Sequence, residues 1–347
     1  MMWDLSRGLN TRDVHCDMLC TAEAGKPALT IDFPGDGKCF CVRSVAKIAA
    51  TMISPAMIIW LRKHCREYDI VHIHHPDPMA CLALRLSGYK GKVVLHWHSD
   101  ILKQKGLLKL YLPLQRWMIR RACRIVGTTP DYVAASSALA DVQDKVTCLP
   151  IGIEDNIRMD GLDREGEARI IFSLGRMVEY KGFINLVEAA RYLPEGYRIV
   201  VGGTGLLEDE LKARCAAIDT DCRVEFPGYL TDEQARGMFN TCDVFVLPSV
   251  MKTEAFGIVQ LEAMSCGKPV VATRIPGSGT AWVNAHGVSG LNVPVDDPRA
   301  IAEAVQEICS DPGRYEEFSR GARKRYEEIF TLERMIDGIL EIYGSCF

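Results

Sequence analysis

A chain of 347 residues is longer than one ordinary core organises and fits two domains of about 150 residues each. With 48% hydrophobic and 25% charged residues it has the profile of a folded globular protein, which excludes a disordered chain and a membrane-spanning bundle. The net charge of −4 divides unevenly: residues 1 to 150 carry 20 Lys and Arg against 13 Asp and Glu, or +7, and the remainder 21 against 32, or −11, so the two halves suit different partners.

The opening "MMWDLSRGLN" reads as a helix, and "VHCDMLC" at 14 to 20 as the strand after it. Asp4 and Arg7 stand where the apolar run of a leader would begin, so no signal peptide is expected. A doubly wound domain ordinarily begins with a strand whose glycine-rich turn meets a ligand, and that element is not found here. The uncharged stretch from Ile48 to Leu61, 14 residues with Pro55 inside, falls short of the roughly 20 that a spanning helix needs and predicts a buried or membrane-grazing helix. The uncharged run from Ile275 to Val295 is too rich in Gly, Ser and Asn for lipid. Fourteen cysteines are scattered without a CxxC pair or zinc-finger spacing and read as buried thiols of a reducing cytoplasm.

Short β-rich runs occur at 70–73, 93–96, 124–127, 146–149, 170–174, 199–202, 224–226, 244–247 and 270–272, most of them separated by helical periodicity such as 183–192 and 231–240. Unbroken apolar strands between helices imply parallel sheets covered on both faces, hence two doubly wound α/β domains. The acidic stretch "IEDNIRMDGLDREGEA", residues 153 to 168, marks the boundary. The expected division is a domain over 1–153, a linker over 154–168, a domain over 169–330 and a terminal helix over 331–347.

Two strand ends hold five of the eight histidines: "HIHHP" with His72, His74 and His75, and "HWHSD" with His96 and His98. Alternation places His72 with His74 and His96 with His98 on one side of their strands, which suits a metal cluster if the strands adjoin or one ligand-facing residue per strand; the second reading is preferred. Between residues 101 and 130, Lys103, Lys105, Lys109, Arg116, Arg120, Arg121 and Arg124 occur without an acid, interleaved with leucines and Trp117. That mixture suits a basic amphipathic segment on an anionic membrane or a core helix with a solvated basic face. Nucleic acid is not an expected partner, since aromatic residues are few there and no recognised binding motif accompanies the charge.

In open α/β sheets ligands bind beyond the carboxyl ends of the strands. After the strand ending at Leu174, "GRMVEYKGF" sets Arg176 and Lys181 in a glycine-bounded loop that opens a helix, a pair suited to a diphosphate. After Val201 comes the turn "GGTG", with Gly202, Gly203 and Gly205, which admits close approach of a phosphate but has neither the GxGxxG spacing nor a Walker lysine. After Pro248, "EAFGIVQLE" frames Phe256, Gly257 and Ile258 between Glu254 and Glu262 at the start of a helix, where amides suit an anion or a sugar hydroxyl.

"EAFGIVQLE" resembles the E-x7-E motif of retaining nucleotide-sugar glycosyltransferases of the GT-B fold, family four. The likeness runs through the chain in order: "VHIHHPDP", "HWHSDI", "LPIGIE", "SLGRMVEYKGF", "VVGGTG", "FPGYLTDEQ", "CDVFVLPS" and "GSGTAWVNAHGVSGLNVPVDDP". "HSDILKQK" is similar to the mannosyl and rhamnosyl transferases of O-antigen assembly in particular. The resemblance implies two Rossmann-like domains facing a cleft. Arg176 and Lys181 would hold the donor diphosphate, Glu262 the ribose and Glu254 the hydroxyls of the transferred sugar. The backbone of Phe256, Gly257 and Ile258 would support sugar and phosphates, the Gly202–Gly205 turn would lie near the nucleotide, and His98 would contact the donor from the N-terminal domain.

The implied reaction moves a hexose, with mannose from GDP-mannose as the best guess, to a polyprenyl-diphosphate-linked or growing O-antigen-like acceptor, with retention and with no cofactor or metal. The implied location is the cytoplasmic face of the inner membrane, reached through basic residues 103–124. Family members open on a strand and a glycine-rich turn that close the acceptor side, and this chain starts at the position just after both; the first strand of the N-terminal domain is therefore expected to be missing here. The alternatives are a non-catalytic nucleotide-sugar-binding protein and a sugar-nucleotide epimerase of the same architecture.

Overall fold

The computed structural model describes residues 1–49, 51–101, 105–159 and 167–347. They form two compact units, Met1–Ile151 with Leu332–Phe347, and Gly152–Thr331. Residues 160–166 of the expected linker lie outside the described residues.

The first unit opens with α1 (Met2–Asn10), β1 (Met18–Thr21), β2 (Leu29–Asp32), β3 (Lys38–Val42), β4 (Ala46–Ile48) and β5 (Thr51–Ile53). It continues through α2 (Pro55–His64), β6 (Ile70–His75), α3 (Pro78–Ser87), β7 (Lys92–Trp97), α4 (Lys105–Arg121), β8 (Arg124–Gly127), α5 (Pro130–Ala134) and β9 (Val146–Cys148). Four parallel strands lie in the order β6-β7-β8-β9, while β1, β3 and β2 form a separate sheet in which β1 runs parallel and β2 antiparallel to β3. Val93, Val94 and Leu95 of β7 are fully buried, the pattern of a strand covered on both faces.

The run from Ile48 to Leu61 is not one helix. Ile48 ends one arm of the β4/β5 hairpin, Thr51–Ile53 is the other, and the helix begins only at Pro55, where the Ser54 side chain caps it by accepting from the Met57 amide. Proline at the first helical position fixes that boundary. Burial of the thiols holds for Cys39, Cys65, Cys81, Cys222, Cys242, Cys309 and Cys346 but fails at Cys148, which is exposed because β9 is the last strand of its sheet.

The basic segment forms α4, whose Tyr111, Gln115, Met118 and Ile119 are buried while Lys109, Leu110, Arg116 and Arg120 are exposed. Arg121 donates to the Gly91 carbonyl and Arg124 to those of Cys123 and Ser345, so these two guanidiniums tie the fold together. Lys103 lies outside the described residues. Among the described residues no helix is long and apolar enough to cross a membrane.

β6 and β7 pair directly, with His74 opposite His96. The imidazoles of His72, His74, His96 and His98 stack on one face: His96 lies 4.3 Å from His98, 5.1 Å from His74 and 5.4 Å from His72, all within about 21° of parallel. Parallel rings point their in-plane lone pairs side by side rather than at one centre, although the nearest ring nitrogens of His72, His74 and His96 lie within 4.8 Å of one another. On the other face His75 stacks on Trp97 at 3.7 Å. Burial holds all five imidazoles well below their ordinary pKa, His72 and His75 to about 3 and His98 to about 4.

The second unit holds β10 (Arg169–Leu174), α6 (Phe183–Ala189), β11 (Tyr197–Gly202), α7 (Glu208–Ala216), β12 (Arg223–Gly228), α8 (Asp232–Thr241), β13 (Val244–Leu247), α9 (Val259–Ser265), β14 (Val270–Thr273), α10 (Thr280–Val283), β15 (Gly290–Val293), α11 (Pro298–Cys309) and α12 (Pro312–Ile329). Its six parallel strands lie in the order β12-β11-β10-β13-β14-β15, so the winding reverses between β10 and β13. One face packs Ile171, Ile199 and Val246 against Leu186 of α6 and Val305 of α11. The other buries Phe172 edge-on to Phe239 at 5.2 Å and Phe245 at 5.9 Å. The terminal helix α13 (Leu332–Gly344) belongs to the first unit, where Ile336 sits so close to Gly8 of α1 that a Cβ there would lie 2.1 Å from it.

Phe172→Ala is expected to lower unfolding free energy in urea by about 3–5 kcal/mol, because three packed rings cannot collapse onto the space left by one of them. A second outcome concerns pH. The unfolded chain protonates its imidazoles near pH 6.5 and the folded unit does not, so stability is full above that value and is lost as pH falls toward 4. At pH 5 each buried imidazole costs about 2 kcal/mol. Urea midpoints from pH 7 to pH 5 should fall steeply, and His96→Leu should make the slope shallower.

Candidate active site

The loops after β10 and β13 leave the sheet at its switch point, where an open α/β sheet parts its helices to opposite faces and leaves a crevice. From the first loop Lys181 reaches into the second and donates from Nζ to Glu254 Oε2 at 2.6 Å, with both residues 9% exposed. Gly182, which follows Lys181, has φ +62°, and a Cβ there would stand 2.2 Å from the Pro248 carbonyl, so only glycine lets the two loops approach this closely. Val250 N also donates to the Tyr180 carbonyl, a direct backbone tie between the loops.

Glu254 is held by more than its lysine. Ser249, fully buried, donates from Oγ to the same Oε2 at 3.0 Å, and Thr273 donates to the Ser249 carbonyl. Ser278 Oγ donates to the Glu254 carbonyl at 2.5 Å, and the Gly279 amide to that of Ala255. These serines are the residues that sequence reasoning left without a role. Ser249 stands directly after Pro248 and Ser278 inside "GSG", and only the approach of β13 to β14 turns both toward Glu254.

Arg176 is exposed and pairs with no carboxylate among the described residues; its Nη2 reaches only the Tyr180 hydroxyl, at 3.5 Å. The glycine turn after β11 lies against this loop. The Gly175 amide donates to Gly202, Met177 to Thr204 and Gly203 to Gly228. A Cβ on Gly203, at φ +114°, would stand 2.0 Å from the Gly175 carbonyl, and one on Gly205 would stand 2.4 Å from that of Met177. The close approach these glycines permit is thus to neighbouring backbone, which brings three strand ends together.

Phe256 is buried with its ring edge-on to Phe330, and Ile258 is 38% exposed. Gly257 has φ +77°, where a Cβ would meet Leu247 at 2.6 Å. The backbone amides of Phe256, Gly257 and Ile258 take no protein acceptor among the described residues, and α9 begins directly after them. Glu262, on α9, is half-buried, and burial with Asp232 nearby pushes its carboxyl up to about 7.

His98 belongs to the first unit, at the end of β7. Its Nε2 is 2.8 Å from His74 Nδ1, and its backbone amide donates to the His75 carbonyl. The following loop is pinned at Asp100, which accepts from Trp97 Nε1 and Ser136 Oγ while its amide donates to the Tyr132 hydroxyl.

A family model described as "Glycosyl transferases group 1" matches residues 155–325, and one described as "Glycosyltransferase Family 4" matches residues 1–156. The chain is 30% identical over 353 residues to O-antigen chain mannosyltransferase C of Escherichia coli, covering 99% of this chain and 93% of that protein. It is 33% identical over 292 residues to the D-rhamnosyltransferase WbpZ of Pseudomonas aeruginosa, covering 82% and 76%. Similar solved structures include sucrose-phosphate synthase from Thermosynechococcus elongatus, with TM-score 0.78 at 19% identity over 98% of this chain and 91% of that one. Another is Anabaena HepE in complex with UDP and glucose, with TM-score 0.76 at 18% identity over 99% and 95%. At those identities the structures speak for the fold alone, the GT-B arrangement of two Rossmann-like domains. Identity of 30% along nearly the whole chain to the first of these relatives and of 33% over 82% of it to the second, with a family model on each half, carries the conclusion that this chain is a glycosyltransferase and belongs to family 4.

Proposed function

We propose that the chain transfers a hexose from a nucleoside diphosphate to a saccharide acceptor of surface-polysaccharide assembly, with retention at the anomeric carbon. The observation that carries this reading is the buried Lys181–Glu254 pair at the switch point beside the exposed Arg176. An ammonium has three donors, so Lys181 can keep Glu254 and still donate to a phosphate oxygen. Glu254, turned by Ser249 and Lys181, offers its remaining acceptor sites to sugar hydroxyls. The amides of Phe256, Gly257 and Ile258 add uncharged donors for the same ligand, and Glu262 takes the ribose hydroxyls.

In the step itself the bond from the anomeric carbon to the diphosphate oxygen breaks and a bond to the acceptor oxygen forms on the same face. The acceptor's proton passes to the departing diphosphate. Charge that accumulates on the diphosphate is stabilised by Arg176 and Lys181, the part a metal would otherwise play, so the reaction is proposed to run without one. Because the E. coli relative is named an O-antigen chain mannosyltransferase, GDP-mannose is the first donor to test and a polyprenyl-diphosphate-linked saccharide the first acceptor. The exposed Lys109, Leu110, Arg116 and Arg120 of α4 offer a basic surface to the anionic inner face of the membrane that holds such an acceptor.

GDP-mannose should raise the Tm of the wild-type chain. Lys181→Met and Glu254→Gln should each lose about 100-fold or more in transfer to a lipid-linked acceptor while keeping native circular dichroism, and excess EDTA should leave the wild-type rate unchanged. Undiminished transfer by both variants would sink the assignment of the site. Glu262 gives a separate reading. A carboxyl with a pKa of about 7 accepts more strongly from ribose hydroxyls once ionised, so donor affinity is expected to rise between about pH 6 and about pH 8. Glu262→Gln should flatten that rise in a calorimetric titration.

A further inference from the structure

Cys123 and Cys346 are 223 positions apart in sequence, yet their sulfurs stand 2.8 Å from one another in the first unit. Neither is drawn there by its own hydrogen. The Cys123 thiol donates to the Val93 carbonyl at 3.1 Å and the Cys346 thiol to that of Ile342 at 3.5 Å, so the two sulfurs meet lone pair to lone pair. Cys20 and Cys39, on the neighbouring strands β1 and β3, keep 3.8 Å between sulfurs, an ordinary contact. The distance at Cys123 and Cys346 is repulsive for two thiols and lies within about 1 Å of a covalent S–S bond.

Groups other than sulfur hold both residues in place. The Cys123 amide donates to the Val93 carbonyl at 2.8 Å, which seats it one residue ahead of β8. On the facing segment Arg124 donates from Nε to the Ser345 hydroxyl at 3.0 Å and from Nη2 to the Ser345 carbonyl at 2.9 Å. The Cys346 amide donates to the Tyr343 carbonyl, and the Lys92 ammonium lies 5.7 Å from the centre of the Phe347 ring. The backbone is therefore already set for a bond between the side chains. Burial first, and the Cys123 sulfur after it, push the Cys346 thiol up to about 12, whereas Cys123 is half-buried and the more accessible of the two.

We propose that Cys123 and Cys346 form a modification site, a reversible disulfide made by exchange with a low-molecular-weight disulfide, which clamps the carboxyl end of α13 to the start of β8. The Cys123 thiolate attacks one sulfur of oxidised glutathione and releases the other half as a thiolate, leaving a mixed disulfide on Cys123. Cys346 then gives its proton to solvent and attacks the Cys123 sulfur, and the second glutathione leaves as a thiolate that takes up a proton. Two protein thiols are oxidised and one glutathione disulfide is reduced to two thiols. The ring so closed contains the whole second unit, Gly152–Thr331. α13 carries Tyr343, whose hydroxyl is 2.8 Å from His72 Nδ1, and Asp337, paired with Arg12, so the clamp stiffens a helix that touches the imidazole row. The inference does not rest on the glycosyl-transfer reading.

The test incubates the 347-residue chain with reduced or with excess oxidised glutathione, alongside the Cys123→Ser, Cys346→Ser and Cys20→Ser variants. The oxidised wild type is expected to lose two of its fourteen thiols and to yield a Cys123–Cys346 linked peptide in non-reducing mass spectrometry. Its Tm should rise by several degrees, and amides of Leu332–Gly344 should exchange at least about tenfold more slowly, both reversed by dithiothreitol. Cys20→Ser should behave as wild type, and the other two variants should gain neither effect. Fourteen free thiols after oxidation of the wild type overturn the proposal, whatever the variants do. So do glutathione retained on Cys123, a linked peptide joining other cysteines, or a disulfide between two copies of the chain.

Discussion

The chemistry of the second unit hangs on the contact between Lys181 and Glu254. The two residues are 73 apart in sequence and meet because β10 and β13 are neighbours across the reversal of strand order. A buried ion pair gains little net stability over an apolar pair, yet removing one partner leaves the other charge stranded, so the loops that carry them are locked together. Gly182 permits the approach, the Val250 amide confirms it at the backbone, and Ser249 fixes which carboxylate oxygen faces the lysine. Arg176 stands outside this knot and is exposed.

The first unit solves a different problem, that of polar rings on a buried parallel sheet. Four imidazoles sit on one face of β6 and β7 at the end where ligands meet such sheets. They remain neutral because burial penalises the charged form of each and because protonating one would repel its neighbours. His98 is therefore a neutral hydrogen-bonding group poised on His74. The flanking Asp100 loop is fastened to Trp97, Tyr132 and Ser136, so the ring's position is set by the fold.

Much of the architecture was legible along the chain. The apolar runs at 93–96, 170–174, 199–202 and 244–247 are strands because Val and Ile favour a pleated surface buried on both sides, and the helices between them carry their own caps, such as Thr231 and Gln234 at α8. What escaped was local: β2 and β3, which pair beside the strand expected near 14–20, and the hairpin hidden in the uncharged run before Pro55. Short strands that pair with each other carry no helical spacing and little hydrophobic contrast. The basic residues around α4 were legible as a cluster, but which ones tie down carbonyls depended on where Gly91 and Ser345 lie in space.

By itself the sequence determined which chemistry stands at the strand ends, two cations, two carboxylates and a glycine turn in one half and a run of histidines in the other, because alternation and glycine placement are local properties. Tertiary structure alone decided their states and partners. Lys181 takes Glu254, Gly203 and Gly205 press on backbone at Gly175 and Met177, Glu262 is held up to about 7 by burial, and His98 is kept neutral. The reason is physical: residue type sets what a group can donate or accept, whereas its charge, its neighbours and its freedom come from the dielectric and the contacts that only packing creates.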